Sequence, residues 1–245
     1  YSVGKERTSL FYRGQRARYV KARQHLSLQG NAELNFKASR YKADKIDYFP
    51  RKDLLWGLGN VALHDTFAKT GDVLDVTGAR MKAHPKAEWA LLTGQVEGEV
   101  RPKQKFRPSL HFKTQSLEML GPSSEVRLRE DVFFRRGGME TQAKSGDIFL
   151  ENANRRLRYF VFNDDVKLKE ELKDSQGRPV VRRAWAERME GFGQDRVVLS
   201  GAPRVEQGKD AVKGYRITLR EQADFIEVED AMSDLSTKKE EKEKP

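Results

Sequence analysis

The sequence contains no cysteine, which removes disulfide staples, thiolate metal sites and cysteine nucleophiles together. Its four histidines, His25, His64, His84 and His111, stand apart and fit no HExxH or comparable ligand spacing, so no metal site is expected. No stretch approaches the roughly 18 apolar residues of a membrane-spanning helix, and no apolar segment with a small-residue cleavage site opens the chain. The phosphate-loop, dinucleotide and nucleophile-elbow patterns GxxxxGK[ST], GxGxxG and GxSxG are missing too. The acids Asp164 and Asp165 would project to opposite faces of a strand, which suits a corner better than an acid/base couple. Together these absences argue against an enzyme and leave no cofactor to accommodate. A start at Tyr1 is compatible with removal of an upstream signal peptide or anchor and does not require it.

Helical periodicity is equally scarce. Residues 181–190 (VRRAWAERME) are helical by composition, but a strand carrying Trp185 agrees better with the repeats described below. What recurs instead is strand alternation: Leu26, Leu28, Ala32, Leu34 and Phe36, then Ile46 and Tyr48, then Leu74 and Val76, and onward to Ile226 and Val228. Many of these runs come about every 8 to 12 residues, the spacing of an all-β sandwich, barrel or solenoid. With 37% hydrophobic residues distributed along most of a 245-residue chain, a buried core is feasible despite 34% charged residues.

A corner motif repeats within this pattern. GNAEL begins at Gly30, GNVAL at Gly59 and GQVEG at Gly94, with weaker relatives at Glu130 (EDVFF), Asp164 (DDVKL) and Gly201 (GAPRV). The interval is about 35 residues, and Gly, Asn or Asp between two apolar alternations is what a bulge with positive φ demands. A module too short to bury its own apolar face must stack on its neighbours, giving an elongated β structure. The expected organisation is one domain over residues 1–232 and a charged tail over 233–245 (SDLSTKKEEKEKP) that cannot offset its ordering entropy.

The formal net charge of +10 is concentrated at the start, where residues 1–23 hold seven Lys or Arg against the single acid Glu6. Phosphates of a nucleic acid, an anionic membrane surface or an anionic lipid headgroup would all suit such a patch. Phe11, Tyr12 and Tyr19 among the arginines make nucleic acid, or another polyanion, the competing reading. No RNP-like, zinc-finger or helix-turn-helix pattern accompanies them, so nucleic acid is not the expected partner.

At the repeats, HLSLQGNAELNF followed by YKADKIDYFPRKDLLWGLGNVAL resembles the module of the OstA-like periplasmic proteins of lipopolysaccharide transport. Ala43, Asp44, Ile46 and Tyr48 occupy that family's A-D-x-[VI]-x-Y strand. The middle segments LLTGQVEGEV, LHFKTQSLEML and METQAKSGDIFL look more like the membrane-anchored member of the pathway, and VVLSGAPRVEQGKDAVKGYRITL returns to the bridge type. The chain is longer than a minimal bridge protein, so a divergent bridge and the soluble part of an anchored component both remain open.

The resemblance implies an elongated β-jellyroll, two antiparallel sheets facing each other as an open V, with lipid acyl chains between them. It implies a periplasmic carrier of lipopolysaccharide or a related anionic lipid, other jellyroll components as partners, and head-to-tail self-association. The expected groove residues are Leu28, Leu34, Phe36, Ile46, Tyr48, Leu63, Val76, Leu92, Phe112, Met119, Leu128, Phe134, Ile148, Leu150, Tyr159 and Val161. The competing view is that they simply form the core between two sheets, since a sandwich core and a lipid trough share one sequence pattern. Arg13, Arg16, Arg18, Lys21 and Arg23 are expected to meet the headgroup at one groove mouth.

Overall fold

The computed structural model describes residues 10–151, 157–173, 176–193, 196–220, 226–230 and 232–234. Among them the chain is all β apart from two 3-10 turns, Lys21–Arg23 and Pro50–Lys52. Ten long strands make up the body: β3 (His25–Phe36), β4 (Ser39–Phe49), β5 (Leu54–Thr66), β6 (Val73–His84), β7 (Trp89–Arg101), β8 (Leu110–Leu120), β9 (Glu125–Arg136), β10 (Met139–Leu150), β11 (Leu157–Lys173) and β12 (Pro179–Phe192). Each pairs antiparallel with the next. The segment 181–190 is strand, within β12.

Every one of these strands is bent near its middle, because the register slips at the same level in each pairing, for example between Gln29 and Ala32 and between Leu58 and Val61. Odd-numbered strands carry two left-handed residues there: Gly30 and Asn31, Gly59 and Asn60, Gly94 and Gln95, Glu130 and Asp131, Asp164 and Asp165. These are the recurring corners of the sequence, and Gly201 with Ala202 continues the row. An extra residue in one strand increases local bend and twist, and a line of such bulges folds the ribbon along one crease.

At both ends of the body the two halves separate into strands of their own. β1 (Leu10–Arg13) pairs with residues 33–36 of β3, whereas β2 (Arg16–Val20) pairs with residues 25–29. At the far end β13 (Arg196–Ser200), β16 (Arg216–Arg220) and β17 (Ile226–Glu229) extend the β2 side. β14 (Arg204–Gln207), β15 (Asp210–Lys213) and β18 (Met232–Asp234) extend the β1 side. The result is two antiparallel sheets, sheet I with β1 and sheet II with β2, joined through the bent strands. Ser233 and Asp234, the first residues of the expected tail, lie in β18; the rest of that tail lies outside the described residues.

Inward side chains from the two sheets form one apolar cluster, including Leu28, Leu34, Ile46, Leu92, Leu128 and Phe134, all essentially without solvent exposure. Burial of each such side chain contributes about 1.5–3 kcal/mol. Large rings are accommodated opposite glycines in register: Phe112 faces Gly98, Phe162 faces Gly146 and Phe160 faces Gly191, and a Cβ on any of these glycines would overlap the ring. Phe134, Phe160 and Phe162 pack mutually at 5.1–5.5 Å between centroids, the tilted geometry that aromatic quadrupoles favour.

Candidate functional site: the mouth between the sheets

Opposite the crease, the hairpin turns of the two sheets face each other as two rims. A cavity of about 570 Å³ opens between them, within the range of small-ligand sites. Sheet I contributes Phe36, Tyr41, Leu63 and Leu74, and sheet II contributes Ala90, Met119 and Val126. Charged groups stand at its edge, Lys37, Asp65 and Lys69 from sheet I and Glu88 and Glu125 from sheet II. Ser39 donates its hydroxyl to Asp65 at 3.1 Å. Burial pushes the Tyr41 hydroxyl up to about 12, so it stays protonated and presents a neutral hydroxyl to the cavity.

Of the expected groove residues, Phe36, Leu63 and Met119 line this cavity. Leu28, Leu34, Ile46, Tyr48, Val76, Leu92, Phe112, Leu128, Phe134 and Ile148 are buried in the packed interior behind it. Leu150 is partly buried against the same cluster. Tyr159 and Val161 require correction, because alternation along β11 turns Phe160 and Phe162 inward and so sends Tyr159 and Val161 to the outer face. There Tyr159 packs on Phe149 and Phe192 and donates its hydroxyl to Glu190. Tyr41, Leu74, Ala90 and Val126 line the site without belonging to the expected set. Their signal is place rather than type, since each lies near the rim end of its strand.

The interior is not uniformly apolar. Toward the carboxy-terminal end three inward positions in the rim half of sheet I are Arg136, Glu170 and Arg182, all buried. Arg182 bonds Glu170 at 3.3 Å and Gln207 at 3.0 Å. Arg136 donates across the V to the carbonyl of Gly193 on the rim of sheet II, at 3.3 Å. A continuous apolar trough therefore stops short of this end.

The five basic residues expected at the mouth divide into three places. Lys21 and Arg23 lie in the turn at the rim of sheet II. Arg13 lies beside the crease with Gly30 and Asn31. Arg16 and Arg18 project from the outer face of sheet II, beside Lys45 and Trp56. None of the five lines the cavity, and Arg23 borders the same outer-face hollow as Arg16 and Arg18.

The fold and this mouth define a two-sheet β-jellyroll, open at both ends of its sheets, with an apolar cleft between the rims. Residues 111–225, from β8 into the last part of the chain, match the family model described as LptA/(LptD N-terminal domain) LPS transport protein, so this part of the chain is similar to the OstA-like lipopolysaccharide-transport family. The chain is also similar to the crystal structure of LptH, the LptA homologous periplasmic component of the conserved lipopolysaccharide transport device from Pseudomonas aeruginosa. That likeness has 14% identity and a TM-score of 0.48, covering 56% of this chain and 100% of that one. No curated protein sequence matches the chain. No helix among the described residues is long and apolar enough to cross a membrane.

Proposed function

We propose that this protein carries the acyl part of lipopolysaccharide, or of a closely related anionic lipid, between its two sheets in the periplasm, acting as a carrier and not as an enzyme. The observation that carries the reading is the cleft between the rims, walled by apolar side chains of both sheets and continuous with the packed interior. Each methylene taken out of water is worth about 0.8 kcal/mol, so a chain of about a dozen carbons gains on the order of 10 kcal/mol. Because the protein's own side chains already fill the space behind the mouth, deeper entry requires the rims to part. Among the described residues β1 and β2 at one end and β17 and β18 at the other each pair on one side only, and such edges suit strand addition by another jellyroll, including a second copy, so that lipid passes from one V to the next.

A photo-crosslinking side chain at Met119 or Leu74 tests this with purified lipopolysaccharide. Adducts at both positions, and none with the same group at Arg127 on the outer face, are expected. Equal labelling at Arg127, or none at the mouth, would overturn the reading.

A further inference from the structure

The outer face of sheet II near its amino-terminal end is unlike the rest of that face. Trp56 and Leu58 of β5 stand next to each other on it, 48% and 55% exposed, with Leu91 of β7 beside them. Large apolar side chains grouped in this way mark a contact surface. Cations surround them. Leu58 lies opposite Lys45 on one side and Arg80 on the other, and Trp56 lies opposite Lys82. The Lys82 ammonium sits 5.4 Å from the Trp56 ring centroid and 5.8 Å from that of Trp89. Arg16 and Arg18 of the edge strand extend the same surface. Two acids lie among these groups and both are already engaged: Asp47 bonds His25 and Lys45, each at 2.9 Å, and Glu118, opposite Leu91, accepts from the Trp89 indole at 2.9 Å and pairs with Arg127 at 3.5 Å.

We infer that this face docks on an anionic bilayer surface, with Trp56, Leu58 and Leu91 entering the interfacial layer and the surrounding cations meeting lipid phosphates. Complementarity of charge selects the occupant: juxtamembrane cations are attracted to anionic lipid, and tryptophan favours the level where an apolar body and a polar edge are both satisfied. A nucleic acid is favoured less, since Leu58 and Leu91 offer no stacking surface and Lys82 covers a face of the Trp56 ring. The docking face points away from the cleft between the rims, so the inference does not depend on what the cleft binds. It would hold the carrier beside a membrane with its mouth free.

The test is flotation of the full chain with vesicles of phosphatidylethanolamine and phosphatidylglycerol, against vesicles of phosphatidylcholine alone. Because the chain has no cysteine, Leu58→Cys gives a single site for an environment-sensitive fluorophore, and Lys113→Cys on the outer face of sheet I gives its control. Binding to the anionic vesicles that weakens with salt, with blue-shifted emission at position 58 and none at 113, is expected. Each basic residue near such a surface is worth about five-fold in partitioning, so Lys45→Gln with Lys82→Gln should lower it roughly 25-fold. Trp56→Ser with Leu58→Ser should lower it as well, with an unchanged far-ultraviolet spectrum, and Met119→Asp in the cleft should leave it intact. Equal binding to both vesicle types, no binding, or binding indifferent to the outer-face substitutions would overturn the inference. Retention on a nucleic acid or a protein in place of vesicles would overturn it too.

Discussion

Asn60 donates its side-chain amide to both carboxylate oxygens of Asp44, at 3.2 and 3.0 Å, across the crease between β5 and β4. Gly59, at φ 73°, sits against the same carboxylate, and a Cβ there would collide with it. The aspartate of the A-D-x-I-x-Y strand thus has a structural role, since it occupies the one position that opposes the two-residue bulge of the next strand. Gly59→Val should therefore cost about 1–3 kcal/mol from backbone strain alone, with the collision added. Asn60→Gly removes an exposed hydrogen bond at a position glycine tolerates and should cost under about 1 kcal/mol. Urea unfolding of the two variants measures the difference, and equal losses would count against the bulge as the feature that matters.

The ring-on-glycine pairs make a second, independent expectation. Gly191→Ala places a methyl group where the Phe160 ring lies, and overpacking of this kind costs about 1–3 kcal/mol. Phe160→Ala empties a fully buried site among Phe134 and Phe162 and should cost about 3–5 kcal/mol. Combining Gly191→Ala with Phe160→Leu should lose less than the sum of the single changes, because the smaller side chain relieves the overlap. Additive losses in denaturant titrations would show that the two residues do not share one space.

The odd-strand corners are legible in the sequence because glycine, asparagine and acidic residues are the types that tolerate positive φ, and two in succession before an apolar alternation form a visible signature. The even-strand corners are not legible, because Asp44, Ala79, Gln115, Lys144 and Glu187 have no chemistry in common. There the inward side merely changes phase, as from Tyr41 and Ala43 to Ile46 and Tyr48. The same phase problem misplaces Tyr159 and Val161, where the unbroken apolar run from Tyr159 to Phe162 offers both registers. The mouth is hidden for another reason. Phe36 and Leu34 are both inward on β3, and only the position of the hairpin tells which lines an opening and which lies in the packed interior. The cation-flanked outer patch escapes notice because Trp56, Lys82 and Leu91 meet only across strands.

Acid should unfold the protein through its outer-face carboxylates. Partial burial alone would raise the Asp47 carboxyl, but hydrogen bonds with Lys45, Ser27 and His25 outweigh it and hold the group below its ordinary 3.8. The Asp75 carboxyl is likewise raised by burial and lowered further by His64 and Arg101. Groups depressed in the folded state add stability above their unfolded values, and that stability is lost as pH falls through the folded ones. The melting temperature should therefore decline as pH drops below about 3.8. Asp75→Asn should be less stable than the parent at neutral pH and show a shallower acid decline, measured by calorimetry at several pH values.

The contact between Arg136 and the Gly193 carbonyl bears on how lipid would enter, since it ties the rim of sheet I to that of sheet II. A charge-assisted hydrogen bond of a buried guanidinium contributes about 1.5–3 kcal/mol, so its removal should both destabilise the fold and ease separation of the rims. On the carrier reading, Arg136→Ala should lower the midpoint of urea unfolding and yet speed uptake of a fluorescent lipopolysaccharide in stopped flow. Met119→Asp should slow uptake, because it puts a charge in the apolar mouth, and its stability cost should be small at a half-open position. The two substitutions thus move uptake in opposite directions for different physical reasons. If Arg136→Ala slows uptake as Met119→Asp does, the guanidinium is engaging the lipid itself, and the rims open by some movement that this contact does not oppose.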